Sequence, residues 1–166
     1  AAMTDKLAAK LQDKPDDAEG WSMLARSYSV LGRNPEALKA YEKALALRTD
    51  DAMLLADYAD ALAIRNNRSL AGEPMKMVER ALKIDGKNLK ALSLAGTNAF
   101  EKKDYAGAVK YWSAVVKIGP ASNPLVEQVL PSLAEARELA GLPPDTSMTK
   151  PPGPVGPGAA GKTVAG

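Results

Sequence analysis

One segment of the chain matches a motif that binds phosphate. Residues 156–163 read Gly-Pro-Gly-Ala-Ala-Gly-Lys-Thr, which fits the spacing of the glycine-rich loop that holds nucleotide phosphates. Such a loop works only between a buried strand and the N-terminus of a helix, whose amide groups bind the phosphates. Here a proline-rich stretch precedes the motif and only three residues follow it. We therefore expect no nucleotide binding.

Two residue types that perform much of protein chemistry are missing from the sequence. It contains no Cys and no His, which excludes disulfides, thiolate nucleophiles, covalent haem attachment and the usual zinc and triad sites. Asp57 and Asp60 lie three residues apart on one predicted helix, and they suit a solvated or groove-facing pair better than an acid–base couple. We therefore expect no catalytic residues, no metal and no cofactor.

The composition indicates a globular protein that does not bind nucleic acid. Of the 166 residues, 46% are hydrophobic and 25% are charged, and the net charge is only +2. A nucleic-acid-binding protein would normally carry a concentrated basic face. No apolar run reaches the length of a membrane span, and the first residues are not a signal peptide. We expect any membrane anchor of a parent protein to lie outside these residues.

An internal repeat in the sequence predicts the secondary structure. Its hydrophobic and small residues recur at intervals of 34 and then 37 positions, which indicates tetratricopeptide (TPR) repeats of two helices each. Small residues allow the two helices of a repeat to pack closely, and neighbouring repeats must stack to bury their apolar faces. The matched positions are Trp21, Leu55 and Leu92, and then Ala25, Ala59 and Gly96.

The predicted fold is an all-α TPR superhelix of three helix-turn-helix repeats. The predicted TPR domain covers residues 1–142, and the Pro/Gly-rich residues 143–166 form a linker or tail. An extra helix precedes the repeats, and a capping helix at 124–140 follows them. The repeats cover 18–51, 52–88 and 89–122, and the other predicted helices are 4–13, 18–31, 35–48, 52–65, 73–84, 89–101 and 105–118.

The first helices of the repeats should line a groove that binds a peptide. In TPR proteins the second, fifth, ninth, twelfth and thirteenth positions of a repeat face this concave surface. Met53, Ile64 and Phe100 would provide apolar contacts, and we expect Phe100 to contribute to binding with little role in folding. The candidate groove residues are Ser22, Arg26, Ser29, Met53, Ala56, Asp60, Ile64, Lys90, Ser93, Thr97 and Phe100.

Particular segments make the chain similar to one TPR family. They read Pro-Asp-Asp-Ala-Glu-Gly-Trp at 15–21, Leu-Ala-Arg-Ser-Tyr at 24–28, Arg-Ala-Leu-Lys-Ile-Asp at 80–85 and Tyr-Trp at 111–112. With these segments the chain resembles the TPR subunits of bacterial c-type cytochrome biogenesis, the Ccm and Nrf haem-lyase systems. The resemblance covers about residues 5–140.

The resemblance implies a binding function without redox chemistry. Members of that family act in the periplasm as domains of proteins anchored in the inner membrane. They serve as chaperones that hold apocytochrome c, largely through its C-terminal helix, beside the subunits of the haem-lyase complex. The alternative is a TPR scaffold in another bacterial complex, in the envelope or the cytoplasm, with a different peptide partner.

Overall fold

The chain folds into a series of antiparallel α-helices joined by turns. The computed structural model describes residues 2–144, in which the all-α prediction is confirmed and each helix ends within two residues of its predicted boundary. The phosphate-loop motif and the tail from residue 145 onwards lie outside these described residues. The helices are α1 Ala2–Asp13, α2 Ala18–Val30, α3 Asn34–Leu47, α4 Ala52–Arg65, α5 Glu73–Ile84, α6 Leu89–Glu101, α7 Tyr105–Ile118 and α8 Pro124–Leu139.

Short polar side chains fix where the first helix of each repeat begins. The Asp17 carboxylate accepts a hydrogen bond from the Gly20 amide at the start of α2, at 2.9 Å. Asp51 and Asn88 accept equivalent bonds at the starts of α4 and α6. These side chains satisfy amide groups that have no partner within the helix. The sequence therefore sets the start of each helix that contributes to the groove.

Small residues bring the two helices of each repeat together. Ala25 in α2 and Ala59 in α4 are fully buried, as their positions in the repeat predict. In α6 the equivalent position is Gly96, and the indole of Trp112 from α7 lies directly against its backbone. No side chain larger than hydrogen fits between α6 and α7 at this point, so the glycine permits their close approach.

The helix pairs stack so that the first helices become neighbours. Helix α3 packs on α4, α5 packs on α6, and α4 also contacts α6 directly. Helix α1 lies against α2 at one end, and α8 covers α7 and contacts α6 at the other. Buried Leu11 joins α1 to the core of the first repeat, and buried Leu133 joins α8 to that of the third. This arrangement is the TPR superhelix that the repeat pattern predicted.

The connection between α4 and α5 is longer than those within the other two repeats. It runs from residue 66 to 72, whereas three residues join α2 to α3 and α6 to α7. Asn67 and Arg68 adopt left-handed backbone conformations, and the side chain of Leu70 is buried. The extra residues of the second repeat thus form a turn that is attached to the core by one leucine.

Within residues 2–144 no helix is both long and apolar enough to span a membrane.

Candidate functional site

Four charged side chains from three helices meet on the face formed by the first helices. Asp57 of α4 lies between Arg26 of α2 and Lys90 of α6, with N–O distances of 3.4 and 2.9 Å. Lys90 also reaches Asp60, at 3.2 Å. The four groups therefore connect all three repeats across the surface that was predicted to bind a peptide. We call these four residues the charge bridge.

One face of α4 carries the centre of this surface. Met53, Asp57, Asp60 and Ile64 follow one another at intervals of four, three and four residues, which places them on the same side of the helix. Met53 and Ile64, at the two ends, are 57% and 43% exposed. The surface thus has charged groups at its middle and an exposed apolar side chain at each end. We call these four residues the α4 stripe.

The electrostatics of the charge bridge centre on Lys90. Burial would by itself lower the pKa of the Lys90 ammonium group, but attraction to Asp57 and Asp60 and hydrogen bonds to both outweigh this effect. The pKa of Lys90 therefore lies above its ordinary value, and the side chain is charged at neutral pH. Asp57 is only 12% exposed, so its two ion pairs are shielded from solvent more than ordinary surface pairs are.

Helix α3 contributes a tyrosine behind the charge bridge. The Tyr41 hydroxyl lies 3.4 Å from the Ser29 hydroxyl of α2, and the ring is buried. Burial raises the pKa of Tyr41, while the hydrogen bond to Ser29 acts in the opposite direction. Ser29 is thus exposed to the groove on one side and held by the second helix of its own repeat on the other.

Most of the candidate groove residues are accessible, and two are not. Ser22 and Ala56 are 4% and 0% exposed, so in this structure neither side chain is accessible to a ligand. Both side chains are short, and Ala56 lies in the buried cluster that joins α4 to α5 and α6. The exposed candidates are Arg26, Ser29, Met53 and Ile64, and the half-buried ones are Asp60, Lys90, Ser93, Thr97 and Phe100.

On α6 the predicted residues Ser93, Thr97 and Phe100 make contacts within their own helix or with α7. The Thr97 hydroxyl donates a hydrogen bond to the Ser93 carbonyl at 3.1 Å, and the Trp112 indole N–H donates to the same oxygen. Phe100 packs against Tyr105 and Trp112, with ring centroids 5.3 and 5.7 Å away. Phe100, a predicted groove residue, therefore packs against the core of the third repeat.

The structure adds one residue that the sequence analysis did not include among the groove residues. In the sequence Asp57 stands out only as half of a pair with Asp60, yet it is the group that both cations share. The available signal was its spacing of four residues from Met53 and three from Asp60. These intervals place it on the same helix face as two residues that were predicted to line the groove.

A pocket adjoins the Met53 end of the α4 stripe. It has a volume of about 610 Å³ and lies between the turn that precedes α4 and the turn that precedes α6. Among residues 2–144, no three acidic side chains come together in a way that could hold a metal ion. The residues that line the pocket are Leu47, Arg48, Thr49, Asp50, Asp51, Ala52, Met53, Asp85 and Asn88.

Comparisons with known proteins agree with this architecture. The chain is 32% identical over 162 residues to the cytochrome c-type biogenesis protein CycH of Pseudomonas aeruginosa, which covers 98% of this chain and 39% of that protein. It is 32% identical over 135 residues to the cytochrome c-type biogenesis protein CcmH of Escherichia coli, covering 80% of this chain and 38% of that one. The chain thus spans about two fifths of the length of these relatives.

A solved structure shares the fold, and one protein family matches most of the chain. The first TPR of Spaghetti (RPAP3), bound to an HSP90 peptide, has a TM-score of 0.64 at 18% identity over 75% of this chain and 95% of that one. The family described as cytochrome c-type biogenesis protein H TPR domain matches residues 3–126. The resemblance inferred from the sequence is confirmed. The chain belongs to the family of TPR domains found in cytochrome c-type biogenesis protein H.

Proposed function

We propose that this TPR domain is a chaperone module that holds apocytochrome c for haem attachment, with the C-terminal helix of the cytochrome in the groove. The family supports this function, because its relatives are cytochrome c-type biogenesis proteins. The observation that carries the proposal is the α4 stripe, which places exposed Met53 and Ile64 on either side of two carboxylates. This pattern is suited to an amphipathic helix.

The groove offers such a helix both apolar contact and a direction. An unfolded cytochrome exposes the apolar side of its C-terminal helix, and contact with Met53 and Ile64 would remove that surface from water. The flexible methionine side chain can adapt to partners of different shape. The Asp60 side chain is 45% exposed and can interact with a positive charge along the edge of the bound helix.

The partners and location follow from the family as part of the same proposal. The domain would act in the periplasm, as part of a protein anchored in the inner membrane, next to the subunits of the haem-lyase complex. The alternative is a scaffold that binds a different peptide in another bacterial complex. It is favoured by the fold alone, because the TPR of Spaghetti (RPAP3) is bound to a peptide of HSP90.

Two matched isoleucines provide the test of the groove. Ile64 on the α4 stripe is 43% exposed, and Ile118 at the end of α7, a second helix, is 41% exposed. We expect Ile64→Ser to weaken binding of a synthetic peptide of a cytochrome C-terminal helix about five-fold, because about 1 kcal/mol of apolar burial is lost. Ile118→Ser should leave the affinity unchanged. Isothermal titration calorimetry measures both.

The outcomes separate the proposal from its alternative. Equal losses in the two variants, or no loss in Ile64→Ser, would place the peptide on another surface. A scrambled peptide of the same composition serves as the specificity control. If wild type binds neither the cytochrome peptide nor the scrambled one, the scaffold alternative is favoured.

A further inference from the structure

The charge bridge places one carboxylate between two cations from different repeats. Asp57 uses one oxygen for the Arg26 guanidinium and the other for the Lys90 ammonium group. The cationic side chains are 46% and 33% exposed, whereas Asp57 is 12% exposed. Asp57 therefore lies beneath the two cations and holds both of them at the floor of the groove.

The groove contains cations, but their charges are already compensated. Arg26 and Lys90 contribute two positive charges, and Asp57 and Asp60 contribute two negative charges, so the charge bridge sums to zero. A carboxylate that approached either cation from the groove would come close to Asp57 or Asp60. Repulsion between like charges in a partly desolvated site opposes this approach.

We propose that Asp57 is a specificity-determining residue of the groove, which prevents the groove from binding a free carboxylate and thereby directs it to the helical body of its peptide. This inference rests on the proposed function, because it concerns what the same groove accepts. In this view Asp57 is a positioning residue that acts through Arg26 and Lys90. The bound segment is recognised by its apolar side, and the charge of its chain end contributes nothing.

The two aspartates of α4 differ in a way that makes the inference testable. Asp60 contacts Lys90 alone, and its side chain is 45% exposed. Replacing it with Asn leaves Asp57 between both cations. Replacing Asp57 with Asn changes the net charge by the same amount but leaves Arg26 without a carboxylate partner. The two variants therefore have the same net charge, but only Asp57→Asn leaves a cation without a carboxylate partner.

The experiment compares one peptide in two chemical forms. An amphipathic helical peptide from a cytochrome C-terminus is made with a free C-terminal carboxylate and with a C-terminal amide. We expect wild type and Asp57→Asn to differ: wild type binds both forms within two-fold, and Asp57→Asn prefers the carboxylate form about three- to ten-fold. Asp60→Asn should behave like wild type.

Each contrary result overturns the proposal. A wild-type preference for the carboxylate form would show that Arg26 or Lys90 is already available to an anion. An equal preference in Asp57→Asn and Asp60→Asn would show that only net charge matters. No preference in Asp57→Asn, with folding confirmed by circular dichroism, would show that Asp57 does not restrain the cations.

A probe without any peptide separates this inference from the proposed function. Acetate, the carboxylate alone, is titrated into each protein while NMR follows the Arg26 Nε–H signal. We expect the signal to shift in Asp57→Asn and to remain in place in wild type and Asp60→Asn. The same shift in all three proteins, or in none, contradicts the inference. If the peptide does not bind to wild type, the proposed function is contradicted. The acetate titration still tests the role of Asp57 in that case.

Discussion

Phe100 illustrates how a residue that is predicted to line the groove can also pack against the core. It occupies a groove position of α6, yet its ring packs against Tyr105 at the start of α7 and against Trp112 in the middle of that helix. Contacts between aromatic rings at these distances stabilise beyond the apolar area that they bury. The expectation that Phe100 has little role in folding does not fit this packing. Loss of its ring should affect the third repeat directly.

We expect Phe100→Ala to lower the free energy of unfolding by about 2–3 kcal/mol, because the half-buried ring leaves a cavity and two aromatic contacts are lost. Urea denaturation followed by circular dichroism measures the loss. Phe100→Leu, which keeps much of the apolar volume, should lose less than half as much. An unchanged midpoint in Phe100→Ala would show that the ring is a groove side chain alone. Binding experiments on this variant therefore need its folded fraction as a control.

At the scale of residues, the sequence indicates which residues share one face of the stacked helices. It does not indicate which of their side chains are accessible. The repeat frame placed Arg26, Asp60 and Lys90 on one face, and in the structure all three belong to the charge bridge. It could not show that Ala56 is fully covered, because accessibility depends on the size of side chains from other helices. It also did not indicate that Asp57 contacts two repeats. Such contacts depend on the stacking of helix pairs, which a single repeat does not encode.

At the scale of elements, local signals were sufficient to predict the helices. Capping side chains, first-turn prolines and the spacing of small residues act within a few residues, so the sequence contains them directly. At the start of α4 the cap is Asp51, whose carboxylate accepts a hydrogen bond from the Leu54 amide at 3.0 Å. The spacing of small residues also predicts Gly96, since the close approach of α6 and α7 requires a small residue at that position.

We expect Gly96→Ala to destabilise the protein by about 1–2 kcal/mol, although alanine normally favours a helix. A Cβ atom at this position would collide with the Trp112 indole, and the hydrogen bond from the indole to the Ser93 carbonyl restrains the ring. Thermal denaturation of wild type and variant measures the difference. The control is Gly86→Ala in the turn before α6, where the nearest atom lies 3.6 Å from the new Cβ. A stabilised Gly96→Ala would contradict this account of the helix contact.

At the scale of the whole molecule, buried clusters follow one another along the superhelix. The first cluster joins α1 to α4 and contains Tyr41 and Tyr58, whose rings lie 6.2 Å apart. Burial raises the pKa of Tyr41, and for Tyr58 burial together with the charge of Glu42 raises the pKa to about 12. The pKa of Lys90 is also raised. Tyr41, Tyr58 and Lys90 therefore bind their protons more tightly in the folded protein.

These shifts predict a loss of stability in alkaline solution. A group whose pKa is raised by folding contributes its full stabilisation below its unfolded pKa and loses it as the pH rises through the folded pKa. For Tyr58 this interval runs from pH 10 to about 12, and the raised pKa values of Tyr41 and Lys90 act in the same direction. Each group lowers the free energy of unfolding by up to about 1.4 kcal/mol per pH unit within its interval.

We expect Tyr58→Phe to reduce this alkaline loss by about 2 kcal/mol, because the variant has no phenol to ionise at that position. Urea denaturation of both proteins at a series of pH values from 10 to 12 gives the two slopes, and tyrosinate absorbance reports the ionisation itself. The substitution also removes the 3.3 Å hydrogen bond to Glu42, which lowers stability at every pH, so the comparison depends on the slope alone. Parallel slopes would show that Tyr58 does not couple ionisation to unfolding. The loss would then be assigned to Tyr41 and to the charge bridge, where deprotonation of Lys90 leaves Asp57 and Asp60 with less compensating charge.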